Sequence, residues 1–396
     1  MKYDFDKVVE RSNTASVKWD ATEELFGEKE LLPLWVADMD FKVPDEVVKA
    51  IQSQAEHGIF GYTMRKNSYY KAIIDWMKEQ HNWSVEKEWI CHSPGVVTAL
   101  NLIVQAYSEP GDKIIVQPPV YYPFMKAIQN HDRQVVYNPL LFKEGRYEMD
   151  FEDLISKIDS SVKMILLCNP QNPGGRVWTE SELKRLGDIC LERGVLVVSD
   201  EIHQDLVFKP GKHVPFAAIS EQFADNSIIC TAPSKTFNLA GLQTSNIIIS
   251  NKALREKFVA EGDKYAVTMP NSFGALATEA AYNHGGQWLE EVLDYVEGNL
   301  HFITKYFKSN LPVLKVLPLE ATYLAWIDCR ELGLTPEELE KLFLSKAKVA
   351  LNQGHVFGPG GEGFVRMNLA CSRSTVEKAV QQMKEAVHSI TVKDPI

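Results

Sequence analysis

A lysine among small residues, directly after an apolar strand, is a group that can act as a nucleophile. The stretch Thr231-Ala-Pro-Ser-Lys235-Thr-Phe-Asn-Leu-Ala-Gly241 holds one. Desolvation lowers an ammonium's pKa and frees the amine to attack a carbonyl, and small neighbours leave room for a planar ring. A lone lysine there would otherwise read as solvent-exposed. A second group is the acid in Val195-Leu-Val-Val-Ser-Asp200-Glu-Ile-His203. A carboxylate at the carboxyl end of a buried parallel strand lies where open α/β sheets bind ligands. It can hold the ring nitrogen of a pyridinium cofactor protonated, which makes the ring an electron sink, or it can simply cap the next turn. Glu201 beside it reads as structural.

A third group is an amide. Cys168-Asn-Pro-Gln-Asn172-Pro-Gly-Gly175 doubles the Asn-Pro step after another apolar run, and an amide in such an extended turn can donate to a phenolate oxygen. Turn chemistry alone is the plainer reading of one Asn-Pro. Ser93-Pro-Gly-Val-Val-Thr98 opens an apolar helical stretch, Val96–Tyr107. Ser93 is placed to cap it and Pro94 to fill its first turn. The N–H groups of Gly95, Val96 and Val97 then form an anion site at the helix's positive end, although most helices begin this way without a ligand. In Pro118-Pro-Val-Tyr121-Tyr122-Pro, Tyr121 follows a strand end, and there it either stacks on a ring or fills the core.

These groups need a frame. Short apolar runs at Lys113–Gln117, Gln134–Tyr137, Met164–Cys168, Val195–Ser199, Ser227–Cys230 and Asn246–Ser250 lack polar alternation, as strands covered on both faces do. Between two of them, Thr179–Arg193 carries a Thr179/Glu182 cap signal, a stripe of Leu183, Leu186, Ile189 and Cys190, and a stop at Gly194. That rhythm predicts an α/β fold with a mostly parallel sheet sandwiched by helices. After a helix over Asn271–His284, Gly285-Gly286 breaks the pattern. A long helix (Trp288–Phe307), strands at Thr322–Asp328 and Phe364–Asn368, and helices near Thr335–Ser345 and Ser374–His388 follow. They predict a smaller α+β domain built from residues 1–45 and 285–396, with a large domain over 46–284.

Composition narrows the function class. Of 396 residues, 42 are Lys or Arg and 53 Asp or Glu, a formal net charge of −11. Phosphate backbones repel such a chain, so a nucleic-acid partner is not expected. No apolar run approaches the ~20 residues that span a bilayer, and none of signal-peptide length opens the chain, so a cytoplasmic protein without a membrane partner is expected. The 6 Cys are scattered, without metal-ligand spacing, so no metal site is predicted and buried free thiols are expected.

Taken together, the segments resemble the aspartate-aminotransferase-like (fold-type I) enzymes that use pyridoxal 5′-phosphate, with Asn172, Asp200 28 residues on and Lys235 35 further on. Phrases closer still to PatB/MalY-type cystathionine β-lyases are Leu34-Trp-Val-Ala-Asp-Met-Asp-Phe41, Gly58-Ile-Phe-Gly-Tyr62, Ser93-Pro-Gly-Val-Val-Thr-Ala99, Gln117-Pro-Pro-Val-Tyr121, Asp200-Glu-Ile-His203 and Gly358-Pro-Gly-Gly-Glu-Gly-Phe364. The resemblance implies that Lys235 holds the cofactor and moves the substrate's Cα proton. It implies Asp200 on the ring nitrogen, Asn172 on the ring oxygen, Tyr121 stacked on the ring, and Gly95, Val96, Val97 and Ser234 on the phosphate. It further implies a homodimer with shared sites, in which Tyr62 reaches in from the second subunit. The resemblance also implies that Arg366 grips the substrate carboxylate, with Ala37 and Asn172 beside it; without the resemblance Arg366 reads as half of an ion pair. Two positions depart from many relatives: His203 replaces a Tyr near the ring, and Gln243 replaces an Arg at the phosphate, as in the lyase branch.

Family members share removal of the Cα proton and then diverge. Expulsion of a thiolate from Cβ gives pyruvate and ammonia; reprotonation at the cofactor gives transamination. The resemblance favours a carbon–sulfur β-lyase acting on sulfur-containing amino acids such as cystathionine, cysteine or cysteine S-conjugates. A broad-specificity aminotransferase is the alternative.

Overall fold

A computed structural model describes residues 2–391. Its centre is a sheet of seven strands: β1 (Ile90–Ser93), β2 (Lys113–Val116), β3 (Gln134–Tyr137), β4 (Val162–Cys168), β5 (Leu196–Asp200), β6 (Ser227–Thr231) and β7 (Ser245–Ile248), in spatial order β1-β7-β6-β5-β4-β2-β3. β7 runs antiparallel to both its neighbours and the other pairs are parallel, so six strands point the same way. Every residue of β5 and β6 is buried, which explains why these segments read as unbroken apolar runs. Beyond the sequence expectation, β5 extends one residue to include Asp200, so the acid itself belongs to the ladder, opposite Cys168 and Cys230.

Helices cover the sheet: α1 (Asp45–His57), α2 (Asn67–His81), α3 (Val96–Tyr107), α4 (Glu180–Arg193), a single turn α5 (Pro233–Thr236) and α6 (Ser272–His284). The cap of α4 forms as its sequence predicts. Thr179 Oγ1 accepts from the Glu182 N–H at 3.2 Å, Glu182 Oε2 accepts from the Thr179 N–H at 2.8 Å, and Gly194 closes the helix at φ +65°. Such a cap is worth about 1 kcal/mol.

The start of α3 differs from expectation. Ser93 does not cap it, because Ser93 ends β1, paired with Ser245. Its Oγ donates instead to the Gly95 carbonyl at 2.9 Å. Gly95 is the N-cap and no side chain caps the first turn.

Past Gly285, α7 (Gly286–Asn310) leads to a second sheet of β8 (Lys315–Val316), β9 (Leu324–Asp328), β10 (Asn352–Gln353) and β11 (Phe364–Asn368), in antiparallel order β8-β9-β11-β10, and to α8 (Arg373–Thr391). Near Ser345 the helix predicted from Thr335 is an α-helix only over Pro336–Lys341, and the wider turn Leu342–Lys346 continues it. The irregular N-terminal segment joins this region: Leu32–Pro33 pair with Val349–Ala350, and the Asn368 N–H donates to the Leu34 carbonyl at 2.9 Å. All six cysteines are buried free thiols. Among the described residues no helix is long and apolar enough to cross a membrane, and no group of metal-ligating side chains forms a site.

Candidate active site

The carboxyl ends of adjacent strands meet in one crevice. Asp200 ends β5, Asn172 lies in the turn after β4, Lys235 sits on α5 after β6, and Tyr121 follows β2. Parallel strands deliver their ends to the same side of the sheet, which is why residues far apart in sequence converge.

Lys235 Nζ donates to the Ala37 carbonyl at 2.6 Å. Burial draws its pKa down to about 8, Arg366 adds to the fall, and Asp38 and Asp200 oppose it. An amine this easily deprotonated can act as a base. Asp200 shifts the other way. Burial lifts its carboxyl to about 7, against a hydrogen bond from Ile202 and the charge of Lys235. Among the described residues its carboxylate accepts only that Ile202 N–H, at 3.1 Å to Oδ1, so the acid does cap its turn and Oδ2 is left for a cationic N–H.

Arg366, on β11, is buried and meets no carboxylate among the described residues. Nη1 donates to Asn172 Oδ1 at 3.0 Å, Nη2 to the Trp35 carbonyl at 3.2 Å and also to Asn352 Oδ1, and Nε has no partner. The guanidinium carbon lies 5.0 Å from the centre of the Phe357 ring. Burial pulls its pKa down to about 10, while the hydroxyls of Tyr121, Tyr323 and Tyr122 support the charge. A buried cation with only neutral acceptors is costly unless an anion arrives. The ion-pair reading of this residue therefore fails. By donating to Asn172 Oδ1, Arg366 also orients that amide with its oxygen toward the guanidinium and its NH₂ away from it.

Tyr121 is half-buried, with its ring 5.5 Å from Tyr122 and 6.3 Å from Phe124. Burial raises its pKa to about 12, and Arg366, Asp200 and Cys168 are close enough to act on it. His203 is buried with Nδ1 unpartnered, and burial and the nearby Lys235 and Arg366 charges keep it neutral. Ser234 is half-buried on α5 beside Lys235. The first-turn N–H groups after Gly95 have no side-chain cap, as an anion-binding helix start needs. Gln243 is exposed at φ +46°. Tyr62 does not join the cluster within the chain: it is 99% exposed, between Ile59 at 66% and Met64 at 74%.

Sequence reasoning missed how the residues are held. A strap over residues 35–39 crosses the crevice, and each of its carbonyls accepts from side chains. Trp35 takes Arg366; Val36 takes Asn368 at 2.7 Å; Ala37 takes Lys235 and the Tyr323 hydroxyl, the latter at 2.9 Å; Asp38 takes Asn368 at 2.6 Å and Lys18 at 3.3 Å. The Met39 carbonyl takes Asn238 at 2.9 Å and Arg11 at 3.2 Å. Behind the strap, wholly buried Lys18 meets Asp40 at 2.8 Å, and Arg11 bridges Asp38 and Asp40 at 2.9 and 2.6 Å. Tyr323, Asn352 and Asn368 carry no motif, and Asn238 lies inside the lysine segment without a role of its own there. Their shared signal is a run of amides and a tyrosine in otherwise apolar segments.

The family model for aminotransferase class I and II matches residues 29–383. The chain is 48% identical to cystathionine beta-lyase PatB of Bacillus subtilis over 97% of its own length and 99% of the relative's. It superposes on cystalysin from Treponema denticola, whose structure contains a pyridoxal 5′-phosphate cofactor, with a TM-score of 0.95, 39% identity and coverage of 98% and 100%. It also superposes on the pyridoxal-phosphate-bound C–S lyase of Staphylococcus hominis, with a TM-score of 0.91, 33% identity and coverage of 97% and 98%.

Proposed function

The chain belongs to the class I and II aminotransferase family, and from that premise we propose that it is a pyridoxal 5′-phosphate-dependent carbon–sulfur β-lyase. Its substrates are cystathionine, cysteine or cysteine S-conjugates, and its products are pyruvate, ammonia and a thiol. The observation that carries the amino-acid chemistry is Arg366, a buried guanidinium held out by neutral acceptors and lacking an anion. The similarity to PatB over nearly the whole of both chains supports the lyase outcome over transamination.

The residues present fit the cofactor. Lys235 offers a readily deprotonated amine, Asp200 a free carboxylate oxygen, Asn172 a free NH₂, and Gly95, Val96 and Val97 an uncapped helix start, with Ser234 alongside for the phosphate. Tyr121 would stack on the cofactor's ring, and neutral His203 would stand near it. When bound, the cofactor supplies a protonated ring that draws electrons from Cα.

The chain's own residues do the rest. Arg366 clamps the substrate carboxylate through its guanidinium fork and so orients the Cα–H bond. Lys235 Nζ, released from the Ala37 carbonyl, takes the Cα proton. The electron pair left behind expels a thiolate from Cβ. The strap, pinned at every carbonyl, keeps the base and the clamp at fixed separation. His203 stays neutral, so it adds no charge to compete with Lys235.

The exposed patch around Tyr62 supports a homodimer in which Tyr62 enters the second subunit's site. The division of the chain into a large domain (46–284) and a small one (1–45 with 285–396) is supported by the pairing of Leu32–Pro33 with Val349–Ala350. We place the enzyme in the cytoplasm. Incubation with cystathionine and no keto acid tests the activity. Stoichiometric pyruvate and thiol are expected; product formation that requires an added keto acid would instead establish an aminotransferase.

A further inference from the structure

Lys235 rides on a helix of one turn, α5, whose first residue is Pro233 and which closes with Phe237 N–H donating to the Pro233 carbonyl at 2.9 Å. A turn this short does not hold itself, because nucleation costs more than one hydrogen bond returns. Its direction is set from outside. On one side Asn238 ties the following residues to the strap, with Oδ1 accepting from the Met39 N–H at 2.9 Å. On the other, buried Thr236, next to Lys235, donates from Oγ1 to Asp205 Oδ2 at 2.7 Å.

Asp205 is itself buried and fully engaged. Its Oδ1 accepts from Trp76 Nε1 at 3.0 Å and lies 2.7 Å from His81 Nε2. Burial would raise its pKa, and the donors from His81, Thr236 and Trp76 overcome that and keep the carboxylate ionised. Asp205 stands in the turn that follows Asp200. The Thr236–Asp205 bond therefore stitches the carboxyl end of β5, which carries the acid, to that of β6, which carries the base.

We propose that Asp205, oriented by Trp76 and His81, is a positioning residue that aims Lys235 through the Thr236 hydroxyl. The proposal rests on the reading of Lys235 as the lysine that holds the cofactor and moves the Cα proton. The competing account is a core polar network that stabilises the fold and nothing more. The two differ in what Thr236→Val does, since it removes the donor and keeps the shape. Misaiming a base slows the chemical step without weakening substrate binding.

The test uses holoenzyme of the wild type and of Thr236→Val, Thr236→Ser, Lys235→Ala and Phe307→Leu, the last a core change in α7 away from the site that serves as a matched loss of thermal stability. For Thr236→Val we expect kcat to fall about tenfold with KM within about twofold. The pH midpoint of the visible absorbance of the lysine-bound cofactor should move by about half a unit or more. Thr236→Ser should restore both. Unchanged kcat and midpoint in Thr236→Val would overturn the proposal, as would a fall in kcat that Phe307→Leu reproduces at equal thermal loss with no midpoint change. Lys235→Ala separates the two levels. If borohydride still traps cofactor on that variant, the reading of Lys235 fails; if trapping is lost, only the positioning claim is at stake in the Thr236 variants.

Discussion

Replacing Arg366 by lysine keeps a positive charge in the crevice and removes the fork. In the wild-type chain the two terminal nitrogens are spread between Asn172 on one side and Trp35 with Asn352 on the other. A carboxylate meeting that fork gains two charge-assisted bonds, each worth about 1.5–3 kcal/mol. Lysine offers one such bond at best, so kcat/KM for an amino-acid substrate should fall by about 10- to 150-fold, taking 1.36 kcal/mol per tenfold. Arg366→Met loses both, and about two to four orders of magnitude, from the same per-bond range. Steady-state pyruvate release from cysteine measures the loss. The control is inhibition by cysteamine, which lacks the carboxylate: its inhibition constant should change little in Arg366→Lys. An unchanged kcat/KM for cysteine, or an equal loss of cysteamine binding, would refute the argument that this unpaired guanidinium is held for a carboxylate.

Two further predictions follow from the same geometry. If Tyr62 serves the partner's site, mixed dimers of Lys235→Ala and Tyr62→Ala chains hold one site with both native residues; random mixing gives half mixed dimers, and about a quarter of wild-type activity should appear from two nearly inactive parents, measured as pyruvate release. Recovery no greater than the sum of the parents would remove Tyr62 from the shared site. For Asp200, a folded-state pKa of about 7 against an ordinary 3.8 means that the folded, cofactor-free protein holds a proton the unfolded chain has shed. This group's stabilisation is full below about pH 3.8 and is lost as pH rises through about 7. Urea unfolding of cofactor-free Asp200→Asn should therefore show a flatter stability profile between those values than wild type, and an identical slope would show that burial does not perturb this acid.

The sheet was legible because buried parallel strands leave a plain mark: unbroken apolar runs ended by polar residues. The predicted strands form, with ends shifted by a residue or two, and the boundary shift that mattered was Asp200, which the ladder absorbs into β5. Capping signals were legible only where side chain and backbone agree. Thr179 and Glu182 cap α4 as their spacing predicts. Ser93 does not cap α3, since its backbone is already committed to pairing with Ser245. A local signal lost to a long-range one, and the loss has a chemical consequence: an uncapped helix start is what an anion-binding site requires.

The strap shows why the rest of the site was illegible. Its contribution is carbonyl oxygens, which every residue carries, so no side-chain pattern marks Ala37 as the acceptor for Lys235 or Trp35 as the acceptor for Arg366. The phrase Leu34–Phe41 is distinctive only through its resemblance to a family. Geometry gives the physical reason behind the phrase. Asp38 and Asp40 anchor the strap to Arg11 and buried Lys18, and two alternate carbonyls then bind the proposed base and the proposed clamp. A net charge of −11 describes the surface and says little here. Within the crevice the decisive charges are three that a low-dielectric site makes expensive: Lys235 pushed toward its neutral form, Asp200 toward its protonated form, and Arg366 left without a counter-ion among the described residues. Each is unfavourable alone. An amine-reactive, ring-bearing phosphate together with an amino acid's carboxylate relieves all three at once, which is the strongest physical argument that this crevice is built for that pair.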